Sequence, residues 1–421
     1  MARSLLNQVT DTVARRCWVP RDLEAITVRG AESGDADSAE QIWGRVEDLY
    51  RTGVHPGIQV CIRHQGDVVV DRAIGHARGN RPGHRLDPDH AVPMELDTPV
   101  NLFSAAKAIT AMLMHKLEEE GVLGLDDRVS DYVPGFGRHG KGDITIRQVL
   151  SHRSGTPSLP SEAFDLELLA DPERIEAMLC DLEPSAMAGG PPAYHAVVGG
   201  FVMEAVAQRA AGRSLRDVLA VDIRDPLALT WFDLGVDEAD AHKVAHNVET
   251  GFPLLKPLEM MMSRVLGTRW DHVLHLSNDP RFLTGIIPSG NVIVTANDAA
   301  TFYQCLLNGG SINGVRVFKE DTIAGAIAHE GEGLPLDRQL FMPMRYSAGF
   351  MLGAEQASLY GWNHPRAFGH VGMSNLFTWA DPDRDLVVAL LTTGKPVLGP
   401  HIVALPRLIS TIHEVFPDQT L

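Results

Sequence analysis

Two stretches of alternating side chains, at opposite ends of a 421-residue chain, constrain its fold more than any other feature. In "GIQVCIRHQGDVVVDRAIG", Ile58, Val60 and Ile62 alternate with other residues, and "HQGD" turns the chain before Val68–Val70. Near the C-terminus, "SNLFTWA", the turn "DPDRD" and "LVVALLTT" form a matching pair. A period of two is that of a strand, and tight turns join antiparallel neighbours. Between the ends the spacing becomes helical. Ile109, Met112, Leu113 and Leu117 share one face of a run from Ser104 to Glu120, which stops at Gly121. "TIRQVLSHRSG", "YHAVVGGFVMEAVAQRAAG" and "TANDAATFYQCLLNGG" read as further helices, the last capped by Thr295 or Asn297.

This order predicts an α/β protein of the α+β type. An antiparallel sheet, flanked by helices and built from both chain ends, would carry an inserted, mostly helical lobe. The expected divisions are an N-terminal extension at 1–40, a discontinuous sheet domain at 41–120 and 285–421, and a helical domain at 121–284. The extension, with its polar run "RGAESGDADSAE", reads as a loop or arm on the surface. A cleft between the two lobes is the natural place for a ligand.

A formal charge of −17, with no basic block, argues against nucleic acid and anionic membranes as partners, because phosphates need clustered Lys and Arg. "MARSLLNQVTDTVARRCWVP" lacks the apolar core of a signal peptide. Cys17, Cys61, Cys180 and Cys305 lie far apart with no C-x-x-C pair, which suggests reduced thiols and a cytoplasmic setting. The expected partner is a small molecule, and assembly of like chains stays open.

Within "NLFSAAKAIT", Ser104 and Lys107 stand three apart at the head of a helical run. Such residues share a helix face, with Cβ atoms about 5–6 Å apart. A serine hydroxyl attacks only after losing its proton, and burial can lower a lysine's pKa until the amine accepts one. The plain alternative is that Ser104 caps the helix while Lys107 reaches solvent.

The surroundings favour chemistry. "VNLFSAAKAITAMLMHKLEEEGVLGLDDRVSDYVPGF", "GKGDITIRQVLSHRSGTPSLP", "YHAVVGGFVMEAVAQRAAGRSL" and "FGHVGMSNLFTWADPDRDLVVALL" together resemble the serine β-lactamase and penicillin-binding-protein superfamily. Within it the chain looks most like family VIII carboxylesterases. The resemblance implies Ser104 as the acylated nucleophile, Lys107 as its proton acceptor, and Tyr194 of "PPAYHAVVGG" as a proton shuttle whose phenol pKa the lysine lowers. It implies an oxyanion hole from the N–H groups of Ser104 and Met373. It also implies substrate contacts at His370, Gly372 and His195, with Gly372 letting the substrate approach its strand.

Two departures from the β-lactamase pattern bear on substrate. Ala196 stands where an asparagine would hold an amide, and neutral His370 stands where a lysine would attract a carboxylate. Both favour a neutral ester; a small or short acyl group is expected. An acyltransferase, a β-lactamase or D-aminopeptidase-type amidase, and a silent binding protein on the same scaffold are the alternatives. No cofactor is called for. His242/His246 and His272/His275 are spaced for metal but bring no third ligand, so no metal is expected. No G-x-S-x-G elbow occurs, "GHARGNRPG" opens no helix, and "EMMMSR" reads as a flexible apolar wall.

Overall fold

The computed structural model describes residues 18–19, 27–84, 86, 89–156, 158–159 and 165–418. Cys17 and the amphipathic stretch before it lie outside the described residues. The hairpins that the sequence predicts meet at the centre of one antiparallel sheet. Its strands are β1 (Thr27–Arg29), β2 (Gly57–His64), β3 (Asp67–Arg78), β4 (Val92–Pro93), β5 (Arg345–Tyr346), β6 (Met351–Leu352), β7 (Phe368–Gly372), β8 (Leu376–Asp381) and β9 (Leu386–Thr392). They lie in the order β1-β3-β2-β9-β8-β7-β6-β5, with β4 beside β3. Pairing of Ile58 with Thr392 and of Ile62 with Val388 sews the two ends of the chain together.

Alternation decides which side chain faces which layer. Ile58, Val60, Ile62, Leu386, Val388 and Leu390 pack on α1 (Ala36–Arg51) and on a C-terminal helix, His401–Val415. Cys61, Ala73, Val387, Ala389 and Leu391 point the other way, into the larger core. That core includes α2 (Ala106–Glu119), α3 (Val198–Ala211) and the helix Ala296–Leu307. With both faces covered, β9 is apolar at nearly every position.

The sheet also recruits residues from the expected extension. Thr27 pairs with Ile74 at the sheet edge, and α1 starts at Ala36, where Asp35 accepts from Asp37 N and Ser38 N. The polar run thus supplies a helix cap that satisfies otherwise orphan N–H groups. A second small sheet joins Val100–Asn101, Phe232–Leu234 and Val292–Val294, so one strand comes from the mostly helical span. Leu102 N donates to Val292 O at 2.9 Å, which anchors the chain just before Ser104.

Candidate active site

Ser104 lies in a 3-10 turn, Phe103–Ala105, that leads directly into α2. Phe103 holds φ at +47°, a left-handed conformation costly for a residue with a side chain. Packing supports it, since its ring sits with Trp270 and Leu274 in a small apolar cluster. On the other side, Gly372 of β7 comes so close that a Cβ there would stand 2.1 Å from Leu102 O. The turn is therefore wedged between the small sheet and β7.

Lys107 occupies the first turn of α2, a helix whose residues 106–115 are all buried. Its Nζ lies 3.1 Å from Ser104 Oγ and 2.9 Å from Ser289 O. Burial lowers its pKa from 10.5 to about 7. A neutral amine here can donate one N–H to Ser289 O and turn its lone pair to the Ser104 hydroxyl. The solvent-reaching alternative does not hold.

Tyr194 closes the triangle. Its hydroxyl is hydrogen-bonded to Ser104, and Lys107 Nζ lies 5.1 Å from the centre of its ring. The expected lowering of its pKa is not what the structure gives: burial pushes the phenol up, against a smaller opposing effect of the Ser104 hydrogen bond. Near neutral pH the phenol keeps its proton. Asp337, fully buried, anchors this residue by accepting from Tyr194 N (3.3 Å), while its other oxygen accepts from Tyr346 OH (2.9 Å).

The expected substrate contacts are arranged differently. His195 is fully buried, with Nε2 paired to Ser154 Oγ at 3.0 Å and Nδ1 facing Val149 O at 3.3 Å. Burial lowers its pKa to about 4. His370 is 1% exposed and lies behind Tyr194, ring centres 6.2 Å apart. Burial, then the Lys107 charge, hold its pKa to about 3, so the ring is neutral. The missing side chain of Gly372 makes room for Leu102 O, not for a ligand. None of these three lines the cavity beside Ser104. Met373 does, next to Ser374 with φ at +63° in the turn that follows β7.

That cavity measures about 400 Å³. Ser104, Tyr194, Ala196, Val371 and Met373 line it, and Phe201, Trp270, Phe282 and Leu169 are among its further walls. Met262 of the expected methionine wall lines it, whereas Met260 is exposed.

A β-lactamase family model matches residues 44–411, most of the chain. The chain belongs to the β-lactamase family. The esterase/β-lactamase LipL of Mycobacterium tuberculosis is 28% identical over 343 residues, covering 77% of this chain and 74% of that protein. A family VIII carboxylesterase structure superposes with a TM-score of 0.76 at 26% identity, covering 91% of this chain and 99% of the other. A penicillin-binding-protein homologue from Caulobacter crescentus also gives 0.76 at 25% identity, covering 92% and 99%. The antiparallel sheet with its flanking helices is thus the β-lactamase and transpeptidase-like fold, and the family is one of serine hydrolases.

In this β-lactamase-family chain, two contributors carried no sequence signal. Ser289 acts on Lys107 through its carbonyl, while its hydroxyl accepts from Gly200 N at 2.8 Å and donates to Val197 O at 3.1 Å. Asp337 acts through main-chain N–H groups far along the chain. Among the described residues neither spaced histidine pair joins a three-ligand group; the grouping that does occur is His364, Asp381 and His413. There Asp381 Oδ2 is already engaged by His364 Nδ1 (2.8 Å) and Arg384 Nη1 (3.0 Å), an unfavourable donor set for a cation. Cys61, Cys180 and Cys305 are free and buried. Among the described residues no helix is long and apolar enough to cross a membrane.

Proposed function

We propose that the chain hydrolyses neutral carboxylic esters through an acyl-enzyme on Ser104. The observation that carries this reading is the 3.1 Å approach of a buried Lys107 amine, with its pKa lowered to about 7, to the Ser104 hydroxyl. Neutral Lys107 takes the hydroxyl proton as Oγ bonds to the acyl carbon. The N–H groups of Ser104 and Met373 receive the oxyanion, where preorganised donors act on charge that develops only in the transition state. Tyr194 gives its proton to the departing alkoxide and regains one from protonated Lys107. Water then adds to the acyl carbon, its proton passes to the same pair, and Ser104 leaves protonated as the acid departs.

Esters are favoured over β-lactams and peptides by what the cavity offers. Its lining includes Ala196, which cannot hold an amide, and among the described residues no lysine or arginine to meet a carboxylate. Asp165, the single acidic residue there among the described residues, would repel one. LipL's name joins esterase with β-lactamase, and for this chain the largely apolar cavity, without a described cation in its lining, supports the first of the two.

The test is p-nitrophenyl butyrate hydrolysis by wild type, Ser104→Ala and Tyr194→Phe. Ser104→Ala should lose at least about 10³-fold in kcat, and Tyr194→Phe roughly 10²–10⁴-fold. Undiminished turnover by Ser104→Ala would remove the nucleophile from this account.

A further inference from the structure

Resting on the Ser104 reading, we infer that the substrate is an ester carrying an extended, uncharged hydrocarbon chain, rather than the short-acyl ester that the sequence suggests. The chain, acyl or alkyl, would lie in the cavity that opens from Ser104.

Three separate apolar packings meet at this cavity. Phe103, Trp270, Met262 and Val273 belong to one. Leu169, Phe201, Phe282 and Ile287 belong to a second, and Tyr194, Leu340, Met344 and Met351 to a third. Where three cores meet without filling the gap, hydrocarbon stays exposed, and an apolar guest gains by covering it. Away from Ser104, Tyr194 and the acidic Asp165, the polar lining residues do little to alter this character. Ser374 Oγ, Asn375 Nδ2 and His401 Nδ1 are shielded from solvent, so those walls present mostly carbon to the cavity. His401 is neutral as well, its pKa lowered to about 4 by burial.

The apolar path continues outward. Helix α4 (Lys256–Leu266) sends Met262 and Leu266 into the cavity and leaves Met260 exposed. The loop across from it sends Leu340, Met342 and Met344 inward and leaves Phe341 half exposed. Gln339 Nε2 donates to Arg264 O at 2.8 Å, and the Arg264 guanidinium lies 5.7 Å from the Phe341 ring centre, which ties loop to helix. A hydrocarbon chain that outgrows the cavity therefore meets an apolar collar. Several of the inner residues are methionines, whose flexible side chains fit chains of different shape.

Two substrate series test this, both below the concentration at which the esters aggregate. One keeps p-nitrophenol and lengthens the acyl group from acetate through butyrate to octanoate. The other keeps acetate and lengthens the alcohol from methyl through butyl to octyl, with acid release followed by titration. In at least one series kcat/KM should rise about three- to fourfold per methylene until the cavity fills, and at least about tenfold from the shortest ester to the octyl one. The series that rises identifies the acyl or the alkyl side as the occupant. Leu169→Trp, or Val273→Phe should the first not fold, should lower the octyl-to-shortest preference at least about tenfold by filling the cavity. Rates that fall or stay level in both series, or a preference that neither variant alters, overturn the inference. In those cases hydrolysis lost in Ser104→Ala leaves the ester reading standing. Hydrolysis that survives Ser104→Ala overturns both.

Discussion

Gly372 of β7 and the Leu102 carbonyl approach so closely that a methyl group on Gly372 would stand 2.1 Å from the oxygen. This contact fixes the distance between the turn bearing Ser104 and the turn bearing Met373. Gly372→Ala should push the two apart. Because misplacement by about 1 Å can cost 10²-fold, kcat/KM should fall by about that factor, with about 1–3 kcal/mol lost in a urea titration. A variant with wild-type kinetics would show that the close approach has no bearing on the site.

The lowered pKa of Lys107 sets a pH profile. Below about pH 7 the amine is protonated and cannot take the serine proton, so kcat/KM should fall about tenfold per pH unit on the acid side and level off above. Lys107→Arg, charged at every usable pH, should be inactive. A wild-type profile that stays flat between about pH 5 and 7, with chemistry rate-limiting, contradicts the base assignment.

Buried neutral histidines make the fold sensitive to acid. Folded-state pKa values are lowered to about 4 for His195 and about 3 for His370. An unfolded histidine takes up its proton near pH 6.5, so the unfolded state binds more protons below that pH. Stability should therefore be full above about pH 7 and fall by up to about 1.4 kcal/mol per pH unit for each such group as pH drops from 6.5 toward 4. Urea midpoints at several pH values read this directly, and His195→Gln should flatten the slope. Equal midpoints at pH 7.5 and 5 would contradict it.

Asp337 holds Tyr194 by its main chain. The same carboxylate accepts from Gln339 N and Leu340 N at 2.8 Å each and from Tyr346 OH at 2.9 Å. Asp337→Ala strips several buried donors of their acceptor and should cost about 2–5 kcal/mol. Asp337→Asn keeps one acceptor oxygen and should recover much of that loss. The kcat of both variants should follow Tyr194 placement, Ala falling well below Asn. Equal stability and equal kcat in the two would show that the carboxylate does not matter.

Much of the fold was legible because its period is written in the side chains. Ile58, Val60 and Ile62 alternate, and so do the two faces of β9. Strands β5 and β6 have two residues each and carry no period, so nothing marks them. The strand Thr27–Arg29 hides in an otherwise polar segment because an edge strand needs only main-chain pairing. Within the site, Ser104, Lys107 and Tyr194 were legible as side-chain chemistry, and the structure brings them together. His195 was misread because it adjoins Tyr194 in sequence, while its side chain turns into the core toward Ser154. Ser289 and Asp337 escaped notice because a carbonyl on Lys107 and a carboxylate on remote N–H groups leave no spacing to read.

The central claim is that Ser104 Oγ is the atom that carries the acyl group. The most direct measurement is intact mass followed by peptide mapping after brief acid quench of a reaction with a slow p-nitrophenyl ester. The account predicts one acyl group per chain, on the peptide containing Ser104, and none in Ser104→Ala. An acyl group mapped to another residue, or turnover with a p-nitrophenol burst and no adduct on Ser104, would contradict it.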